Sequence, residues 1–568
     1  MKNITIKTEA DGFIVAVLDM PGRPFNVFSE DMMADLETLI EQVLTDCNAG
    51  NAPKGLVLTS GKSSFVAGAD LGMIQDFGAM RFTANWQQMR DRYSNLGKLF
   101  RRLETLPVPV VAAVNGLALG GGFELAMACH GRVCVDAPHA QLGLPEVVLG
   151  LLPGAGGTQR LPRYIGLAPG LEMLLGGASL SPSAALERGV VDKLASQEDL
   201  ISSAISLAGE ISAGARWDKE GFELDSDDLA KIGDGFNDWA LALCGIDKNT
   251  ADLYPAIPAI LKCVGDGFAK DIDAGSDVEW DVFVDLMSDP VASNMVTTCF
   301  LAKTAATKLS LAQLPKVEPV ASYAALDGVE LNPKVFRKVT QLASGEAELN
   351  VGPVGDEAAD VFLAAQSAST PASGATPEFR FVGDFTKSEV LELYVGTDLE
   401  KAAKAMSLAQ TSGKSVVLSR SAESVNKVLL ATCGAIAANS DAQALTRAVA
   451  AVGLSKQMAE ALSVDYAPTL EVQAADKQFG LDILAELSLA VATFAAAALT
   501  GDEDKDATLL AGIDLLSVYG TGFPKWSGGP LSCLTMFQRG ELSSSKMNIA
   551  DLEWTFKSPW GYKASKAS

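Results

Sequence analysis

The sequence predicts an α/β protein, because short apolar strands alternate with amphipathic helices from the start of the chain to about residue 190. Residues 4–19 alternate like two strands. Ser29 precedes a segment whose apolar residues fall on one face, which predicts a capped helix. The apolar runs "GLVLTS" (55–60) and "PVVAAVNG" (109–116) end in turn residues, which is typical of buried strands.

The rest of the chain is predicted to be mainly helical. Residues 190–310 carry helical patterns with acidic loops, and the chain beyond 430 is rich in Ala and Leu. Two breaks interrupt it, "AQLPKVEPVASY" at 312–323 and the low-complexity linker "SASTPASGATP" at 367–377. These features divide the chain into three predicted domains, which are 1–310, 311–430 and 431–568.

The composition argues against several classes of partner. The 568 residues carry a formal net charge of −25, and both nucleic acids and anionic membranes require basic surfaces. The start of the chain alternates like a strand and lacks the basic-then-apolar pattern of a secretion signal. The apolar stretch 487–499 is too short to span a bilayer and predicts a buried helix. We therefore expect a cytoplasmic protein with no integral membrane segment and no nucleic-acid partner.

Cysteine and histidine usage limits the available chemistry. The eight cysteines are scattered without CxxC pairs, which predicts reduced core residues rather than a disulfide framework or a zinc site. The two histidines, His130 and His139, are predicted to face solvent. Catalytic triads need such a histidine, and metal sites usually need more of them. The chemistry is therefore expected to rest on carboxylates, backbone groups and the bound ligand, without a metal.

The segment "AVNGLALGGGFELAMA" (113–128) places three glycines before an acid within an apolar run. Gly120, Gly121 and Gly122 are predicted to begin a helix directly after a buried strand. The unpaired N–H groups and positive dipole of a helix N-terminus suit an oxygen atom that acquires negative charge. Tight strand-to-helix packing would also explain the glycines, and capping of the first turn would also explain Glu124.

Two further segments carry candidate residues. "SSFVAGADLGMI" (63–74) combines a small-residue turn, whose backbone N–H groups can face a ligand, with Asp70 directly after it. In "LGLPEVVLGLLPGAGGTQRLPRYIG" (142–166), Glu146 interrupts an apolar segment after a proline. Two buried carboxylates whose environments separate their pKa values are suited to acid–base catalysis.

The motifs FVAGAD, NGLALGGGFELAMAC and LPEVVLGLLPGAGGTQRL occur in this order, and together they resemble the crotonase (enoyl-CoA hydratase/isomerase) superfamily over about residues 1–310. The resemblance implies a crotonase fold, with a spiral core of repeated ββα units. It also implies that the N–H groups of Ala69 and Gly121 polarise the thioester carbonyl of an acyl-CoA. The resemblance implies that the backbone of this segment meets the coenzyme A portion, with the following binding residues: Ala67, Gly68, Ala69, Asp70 and Leu71.

The resemblance also assigns the acids. The two hydratase glutamates fall on Glu124 and Glu146, which are 22 residues apart, similar to the large fatty-acid-oxidation subunits. The implied reaction is the addition of water to a trans-2-enoyl-CoA, in which Glu124 activates the water and Glu146 delivers a proton to C2. No cofactor is implied beyond coenzyme A as part of the substrate.

The C-terminal half resembles 3-hydroxyacyl-CoA dehydrogenases. "GIDLLSVYGTGFPKWSGGPL" (512–531) is similar to their final helical domain, and 379–396 and 413–430 are similar to the last strands of their NAD domain. The implied fold is a reduced Rossmann remnant followed by an all-helical domain. The glycine fingerprint of a dinucleotide site is missing, and "SGEAELNVGPVG" is the nearest glycine cluster.

The dehydrogenase residues are also incomplete in this resemblance. With Glu392 as the anchor, the expected histidine is Arg380, and the expected asparagine–proline pair is Gly383 and Asp384. Asn426 matches an asparagine of the family. We therefore expect no NAD binding and no oxidation of 3-hydroxyacyl-CoA.

Three functional hypotheses remain open from the sequence. The leading one is a hydratase of fatty-acid degradation with a non-catalytic second half. The second is a Δ3-Δ2-enoyl-CoA isomerase or a dual enzyme, which could use Glu146 alone. The third is a scaffold that presents acyl-CoA to a thiolase or a dehydrogenase, although a scaffold has no need of two buried acids. A thiolase partner or self-association is expected, and the amphipathic segment 294–309 is predicted to pack on the hydratase domain.

Overall fold

The computed structural model describes the chain apart from a set of short stretches, and it contains two compact units, Met1–Ala292 and Ser293–Ser568. The residues outside the description are 10, 330, 332–334, 337–338, 345, 366–375, 382–383, 422, 546, 548–553, 558–562 and 567–568. Most of the predicted linker at 367–377 lies outside the described residues, as does Gly383.

The first unit contains nine strands and fourteen α-helices among its described residues. The strands are β1 (Ile4–Thr8), β2 (Ile14–Leu18), β3 (Leu56–Ser60), β4 (Val110–Val114), β5 (Ala118–Leu119), β6 (Gly131–Val135), β7 (Leu142–Gly143), β8 (Ser179–Leu180) and β9 (Lys193–Ala195). The helices are α1 (Glu30–Asn48), α2 (Leu71–Met80), α3 (Trp86–Tyr93), α4 (Asn95–Glu104), α5 (Gly121–Met127), α6 (Gly157–Ile165), α7 (Leu167–Gly176), α8 (Pro182–Glu187), α9 (Leu200–Glu210), α10 (Ser226–Leu229), α11 (Phe236–Leu243), α12 (Lys248–Leu253), α13 (Ala256–Gly267) and α14 (Ile272–Ser288). Two 3-10 turns, Glu146–Leu149 and Arg216–Asp218, complete it.

A six-stranded sheet in the order β1-β2-β3-β4-β6-β9 forms the centre of this unit. Only β1 and β2 pair antiparallel, and the other neighbours are parallel. The side chains of β4 are all buried, as its continuous apolar run predicted. Ser29 caps α1 by accepting a hydrogen bond from the N–H of Met32. The predicted strand pair, helix and two buried strands of this region are therefore confirmed.

A second, smaller sheet in the order β5-β7-β8 brings together the segments that carry the sequence motifs. β5 pairs parallel with β7, and isolated bridges join Val66 to Ala118 and Phe28 to Ala69. Because β5 leads directly into α5, these pairings fix the start of that helix beside the turn at 66–69. The sheet thus positions the two backbone segments that the sequence singled out.

The second unit combines a seven-stranded sheet with a set of helices. Its strands are β10 (Ser322–Ala325), β11 (Thr340–Gln341), β12 (Leu349–Pro353), β13 (Val361–Ala365), β14 (Glu378–Phe381), β15 (Val390–Tyr394) and β16 (Ser415–Ser419), with a separate pair β17 (Trp554–Lys557) and β18 (Lys563–Lys566). The helices are α15 (Pro290–Met295), which crosses the division between the units, α16 (Lys303–Leu311), α17 (Leu399–Gln410), α18 (Val425–Ala438), α19 (Ala442–Val452), α20 (Lys456–Ala461), α21 (Ala474–Ala498), α22 (Glu503–Leu516) and α23 (Pro530–Gln538). The segments Val296–Ala302 and Ser517–Thr521 are π-helical, and Lys525–Ser527 is a 3-10 turn.

The sheet of the second unit has the order β11-β10-β12-β13-β14-β15-β16. All neighbouring strands are parallel except β14 and β15, which are antiparallel. Tyr323, Phe379 and Leu393 belong to the core on which α17 packs. After β16 the chain is mainly helical, so the predicted α/β class with a helical C-terminal region is confirmed.

The segment after residue 292 differs from the prediction. The predicted first domain ended at 310, whereas residues from Ser293 onward belong to the second unit. The amide of Asn294 donates to the carbonyl of Ser527 at 3.0 Å, and the hydroxyl of Ser310 donates to the carbonyl of Val416 at 2.9 Å. These hydrogen bonds tie the segment to the second unit. The amphipathic pattern predicted a packed helix, but an apolar stripe alone does not identify the surface that covers it.

Among the described residues, one helix satisfies the length and apolar composition required to cross a membrane. It is α21, which has 25 residues, and half of its apolar window is buried inside the structure. Leu487, Val491 and Ala495 lie within the predicted stretch and are buried in the core of the second unit. A single apolar core helix of this kind is weak evidence for a membrane span.

The histidines and cysteines have ordinary structural positions. The prediction that both histidines face solvent is wrong for His130, because its Nδ1 accepts the N–H of Val110 and its Nε2 lies 2.8 Å from the carbonyl oxygen of Glu104. Burial lowers the pKa of His130, so the ring is a neutral structural hydrogen-bonding group. His139 is exposed. All eight cysteines are free.

Candidate active site

The glycine run begins α5 through close backbone packing. Gly120 has φ 52° and ψ −127°, a conformation that favours glycine. A Cβ atom on Gly120 would lie 2.5 Å from Oε1 of Glu146, and one on Gly122 would lie 2.2 Å from the carbonyl oxygen of Val66. Tight packing therefore explains Gly122, whereas Gly120 also leaves room for a carboxylate.

The N–H groups of Ala69 and Gly121 belong to the turn at 66–69 and to the start of α5. The pairing of β5 with β7 and the bridge between Val66 and Ala118 bring these two segments together. The N–H of Leu119 donates to the carbonyl of Val66 at 3.1 Å, and the N–H of Phe28 donates to that of Gly68 at 2.9 Å. Gly68 has φ 93°, which turns the chain ahead of Ala69. Within the described part of the chain, no acceptor takes a hydrogen bond from the N–H of Ala69 or Gly121.

The predicted coenzyme A segment lies in the same turn. The N–H of Ala67 donates to the carbonyl of Asn26 at 2.9 Å, so this part of the backbone is fixed. Asp70 caps α2 by accepting the N–H of Gly72, and its other oxygen pairs with the guanidinium of Arg23. Leu71 is the first residue of α2. Asp70 thus has a clear local role at the helix start, in addition to any contact with a ligand.

Glu124 is buried with only 2% of its surface exposed. Its Oε1 accepts the N–H groups of Ala155 and Gly157, each at 2.8 Å. Because these donors belong to a different segment, the alternative that Glu124 merely caps its own helix does not describe its contacts. Burial raises the pKa of Glu124 to about 6, while the two N–H groups and the charge of Arg160 act in the opposite direction.

Glu146 is the first residue of the 3-10 turn Glu146–Leu149, directly after Pro145. Its Oε2 is buried and has no hydrogen-bond partner in the described structure. Burial raises the pKa of Glu146 well above its ordinary value, and the negative charges of Glu124 and Glu279 raise it further. The structure therefore brings the two predicted acids into electrostatic contact, with pKa values that differ between them.

Sequence reasoning missed three buried charged residues around this pair. Arg160 donates from Nε to Oε1 of Glu104 at 2.9 Å and from Nη2 to Oε2 at 3.1 Å. Glu279 on α14 accepts hydrogen bonds from the segment that holds Glu124. A signal was present for Glu279, since it occupies the same helix face as Ile272 and Phe283. Among the described residues, no group of three or more His, Cys, Asp or Glu side chains could hold a metal ion.

The two residues that the resemblance aligned with the dehydrogenase histidine and glutamate lie in the second unit. Arg380 and Glu392 stand opposite each other on the antiparallel strands β14 and β15. The guanidinium of Arg380 donates to Glu378 at 3.1 Å and to Glu392 at 3.2 Å, and all three residues are buried. The hydroxyl of Ser424 donates to the second oxygen of Glu392 at 2.5 Å.

Asp384 and Asn426 are the other described residues of the dehydrogenase comparison. Asp384 is a surface residue that accepts the N–H and the hydroxyl of Thr386. Asn426 is buried at the start of α18. Arg380 and Glu392, which the resemblance aligned with the dehydrogenase histidine and glutamate, thus face each other across two strands and form a buried ion pair.

A mixed sheet with a glycine-lined helix start and two buried glutamates defines the first unit as a crotonase-type domain. Residues 11–218 match the model of the enoyl-CoA hydratase/isomerase family. Similar curated proteins include the fatty acid oxidation complex subunit alpha of Shewanella halifaxensis, 37% identical over 303 residues, covering 53% of this chain and 41% of the relative. The corresponding subunit of Shewanella loihica is 39% identical over 290 residues, covering 50% of this chain and 39% of the relative.

A solved enoyl-CoA hydratase from Bacillus anthracis is also similar, with 34% identity, a TM-score of 0.32, and coverage of 37% of this chain and 76% of that one. The chain spans about two fifths of the length of the two Shewanella relatives. The predicted family and the crotonase fold of the first unit are confirmed. The roles of individual residues and the activity of the whole chain belong to the proposal below.

Proposed function

We propose that the first unit is an enoyl-CoA hydratase, which adds water to a trans-2-enoyl-CoA to give a 3-hydroxyacyl-CoA in the degradation of fatty or related acyl groups. The observation that carries this proposal is the pair of buried glutamates beside two backbone N–H groups that lack protein acceptors in the described structure. Coenzyme A enters as part of the substrate, and the turn at 67–71 is the proposed binding segment.

The N–H groups of Ala69 and Gly121 would polarise the thioester carbonyl. Electron density withdrawn toward that oxygen makes C3 electrophilic and stabilises the enolate that forms when C3 is attacked. Each preorganised donor of this kind contributes roughly 3 kcal/mol to the transition state. Because both donors are held by strand and bridge pairing, little reorganisation is needed during the reaction.

The two acids would then divide the proton transfers. Glu124, whose pKa is about 6, is ionised at neutral pH and takes a proton from water as its oxygen bonds to C3. Glu146, whose pKa is raised further, is protonated and delivers its proton to C2 of the enolate. A proton passes from Glu124 back to Glu146 before the next turnover, so that one water molecule is consumed in each cycle.

Hydration of crotonyl-CoA, followed through the loss of enoyl absorbance, tests this proposal. We expect turnover with a bell-shaped pH profile. The rate falls as the pH drops through about 6, because protonated Glu124 no longer accepts a proton. It falls again at high pH, where Glu146 loses the proton it must donate. Absence of hydration by the full chain would favour the scaffold hypothesis instead.

An isomerase activity is the second candidate, and the unpaired Oε2 of Glu146 favours it. A single carboxyl group could remove a proton from C2 of a 3-enoyl-CoA and return it to C4. This reaction uses the same oxyanion donors and does not need Glu124. Conversion of 3-enoyl-CoA to 2-enoyl-CoA distinguishes the two activities.

For the second unit, we infer that it does not oxidise 3-hydroxyacyl-CoA. A guanidinium stays protonated in proteins and cannot take the proton of the substrate hydroxyl. Two carboxylates already pair with Arg380, so the residue at the histidine position is part of a buried ion pair. We expect no NADH formation from 3-hydroxybutyryl-CoA and no saturable NAD binding in calorimetry. Either signal would contradict this part of the proposal.

The relatives are named as subunits of a fatty acid oxidation complex, and this supports a multi-enzyme context for the chain. We propose a thiolase partner or self-association, with the second unit as a structural platform. A cytoplasmic location fits the strongly acidic composition and the coenzyme A substrate. Co-purification with a thiolase from the native cell extract, compared with the size of the isolated chain, tests the choice between these partners.

A further inference from the structure

Glu279 makes three hydrogen bonds to one short segment of the first unit. Its Oε1 accepts the N–H of Gly156 at 2.6 Å. Its Oε2 accepts the N–H of Thr158 at 3.0 Å and the hydroxyl of the same residue at 2.5 Å. The side chain is fully buried on α14. Because three donors occupy its two oxygens, Glu279 is engaged with the protein rather than available to a substrate.

The same segment also holds Glu124, and the two carboxylates use alternate residues. Ala155 and Gly157 donate their N–H groups to Glu124, whereas Gly156 and Thr158 donate theirs to Glu279. The four N–H groups of 155–158 are thus shared equally between two acids. A shift of this segment toward or away from one carboxylate necessarily changes its distance to the other.

The conformation of this segment is strongly constrained. Gly156 has φ 103°, and a Cβ atom there would lie 1.6 Å from Nη1 of Arg160. That nitrogen donates to the carbonyl of Ala155 at 2.9 Å. A Cβ atom on Gly157 would lie 2.9 Å from Oε1 of Glu124. Small residues let the segment fit between the acids, and Glu279 supplies contacts that keep it there.

We propose that Glu279 is a positioning residue for the hydratase site, which holds residues 155–158 so that two N–H groups stay directed at Glu124. This inference rests on the proposed hydratase function. Glu279 lies outside the family-matched residues 11–218, so α14 completes a site whose other acids are within that range. A misplaced segment would cost rate at the chemical step while leaving substrate binding largely intact.

The charges around Glu279 make the proposal testable. The groups that interact with it are Glu124 on α5, Glu146, the thiol of Cys263 on α13, and three residues of α6, which are Thr158, Arg160 and Arg163. Burial and the charge of Glu124 raise the pKa of Glu279 to about 8, against its hydrogen bonds and the charge of Arg160. If Glu279 acted only through its charge, its removal would leave the pKa of neighbouring carboxyl groups in place or lower it. If it acts by holding 155–158, its removal weakens the N–H bonds that lower the pKa of Glu124, and that pKa rises.

The principal test variant is Glu279→Gln. The amide of glutamine places an NH₂ group against at least one backbone donor, which repels that part of the segment. We expect kcat for crotonyl-CoA to fall by about 10- to 100-fold, with KM within about twofold of wild type. The acid limb of the kcat/KM profile should move upward by about half a pH unit or more. Asp277→Asn is the matched control. It removes an exposed charge from the same helix, and this carboxylate pairs with Arg90. We expect this variant to leave kcat and the pH profile unchanged.

A second variant keeps the test decisive if Glu279→Gln does not fold. Thr158→Val removes one of the three donors to Glu279 and retains the backbone N–H, so it should produce the same changes at smaller size. An acid limb that stays in place or moves downward in the folded variant overturns the positioning role. Wild-type enzyme that does not hydrate crotonyl-CoA refutes the proposed function itself, whereas active wild type with an unaffected Glu279→Gln variant refutes only this inference.

Discussion

Glu124→Gln lowers kcat for crotonyl-CoA hydration by about 100-fold or more, because an amide cannot accept the proton that leaves water. The fold should tolerate the change. Both N–H groups that contact Glu124 donate to a single oxygen, Oε1, and the carbonyl oxygen of a glutamine can accept both. We therefore expect a melting temperature close to that of the wild type. Initial rates together with thermal unfolding check the prediction.

Glu146→Gln is the companion variant, and it should show a similar loss of at least about 100-fold in kcat. The reason differs, since this residue supplies the proton for C2 and its Oε2 has no partner in the described structure. Near-wild-type hydration by either variant would contradict the two-carboxylate mechanism. Asp199→Asn serves as a control, because this acid is an exposed residue whose described side-chain contact is the hydroxyl of Ser196.

The same pair of variants separates hydration from isomerisation. If Glu146 alone shuttles the proton between C2 and C4, Glu124→Gln keeps its isomerase rate while hydration is lost. Glu146→Gln should then lose both activities. Measuring both substrates on both variants shows which of the two reactions this site performs.

Strands and local motifs were predictable because their signals are contained in short stretches of sequence. β3 and β4 are continuous apolar runs, and a buried strand is the ordinary way to accommodate such a run. The acids Glu124 and Glu146 stood out because each interrupts an apolar segment, and the structure places each carboxyl group in a buried position. Such patterns can be recognised without knowledge of the tertiary fold.

The missed features depend on residues that are distant in sequence. Glu279 lies on a helix rich in acids, where Asp277 and Asp281 are exposed and form surface ion pairs. Its place on the apolar face of α14 indicates burial, but no local pattern specifies that α14 packs against α6. His130 was assigned to solvent for the same reason, because its ring nitrogens bind backbone groups of two other segments.

The predicted domain end at 310 differs from the division after Ala292 for a related reason. The apolar stripe at 294–309 predicted a packed helix, but both units of the chain offer helical surfaces. Its polar side chains carry the more specific information, since Thr298 donates to the carbonyl of Gly528 at 2.5 Å. Hydrogen bonds require a particular partner at a particular place, whereas apolar contacts are compatible with many surfaces.

Gly121→Val should abolish measurable turnover. A Cβ atom at this position would lie 3.1 Å from the ring of Phe28, which packs edge-on against Phe100 with ring centroids 5.2 Å apart. The branched side chain needs more space than the ring can yield, so the first turn of α5 must move and carry its N–H with it. Loss of one oxyanion donor costs about 100- to 1,000-fold in kcat, and crowding of the thioester adds to this loss.

Gly55→Val is the matched control for the cost of overpacking. A Cβ atom there would also lie 3.1 Å from an aromatic ring, that of Phe13, but Gly55 precedes β3 and lies outside the candidate site. Both variants should lose stability by about 1–3 kcal/mol, the usual effect of forcing extra methyl groups into a packed core. We expect Gly55→Val to keep its turnover per folded molecule, with the folded fraction measured by circular dichroism. If Gly121→Val folds and hydrates crotonyl-CoA as fast as Gly55→Val, the N–H of Gly121 is not an oxyanion donor, because overpacking alone then accounts for its effect.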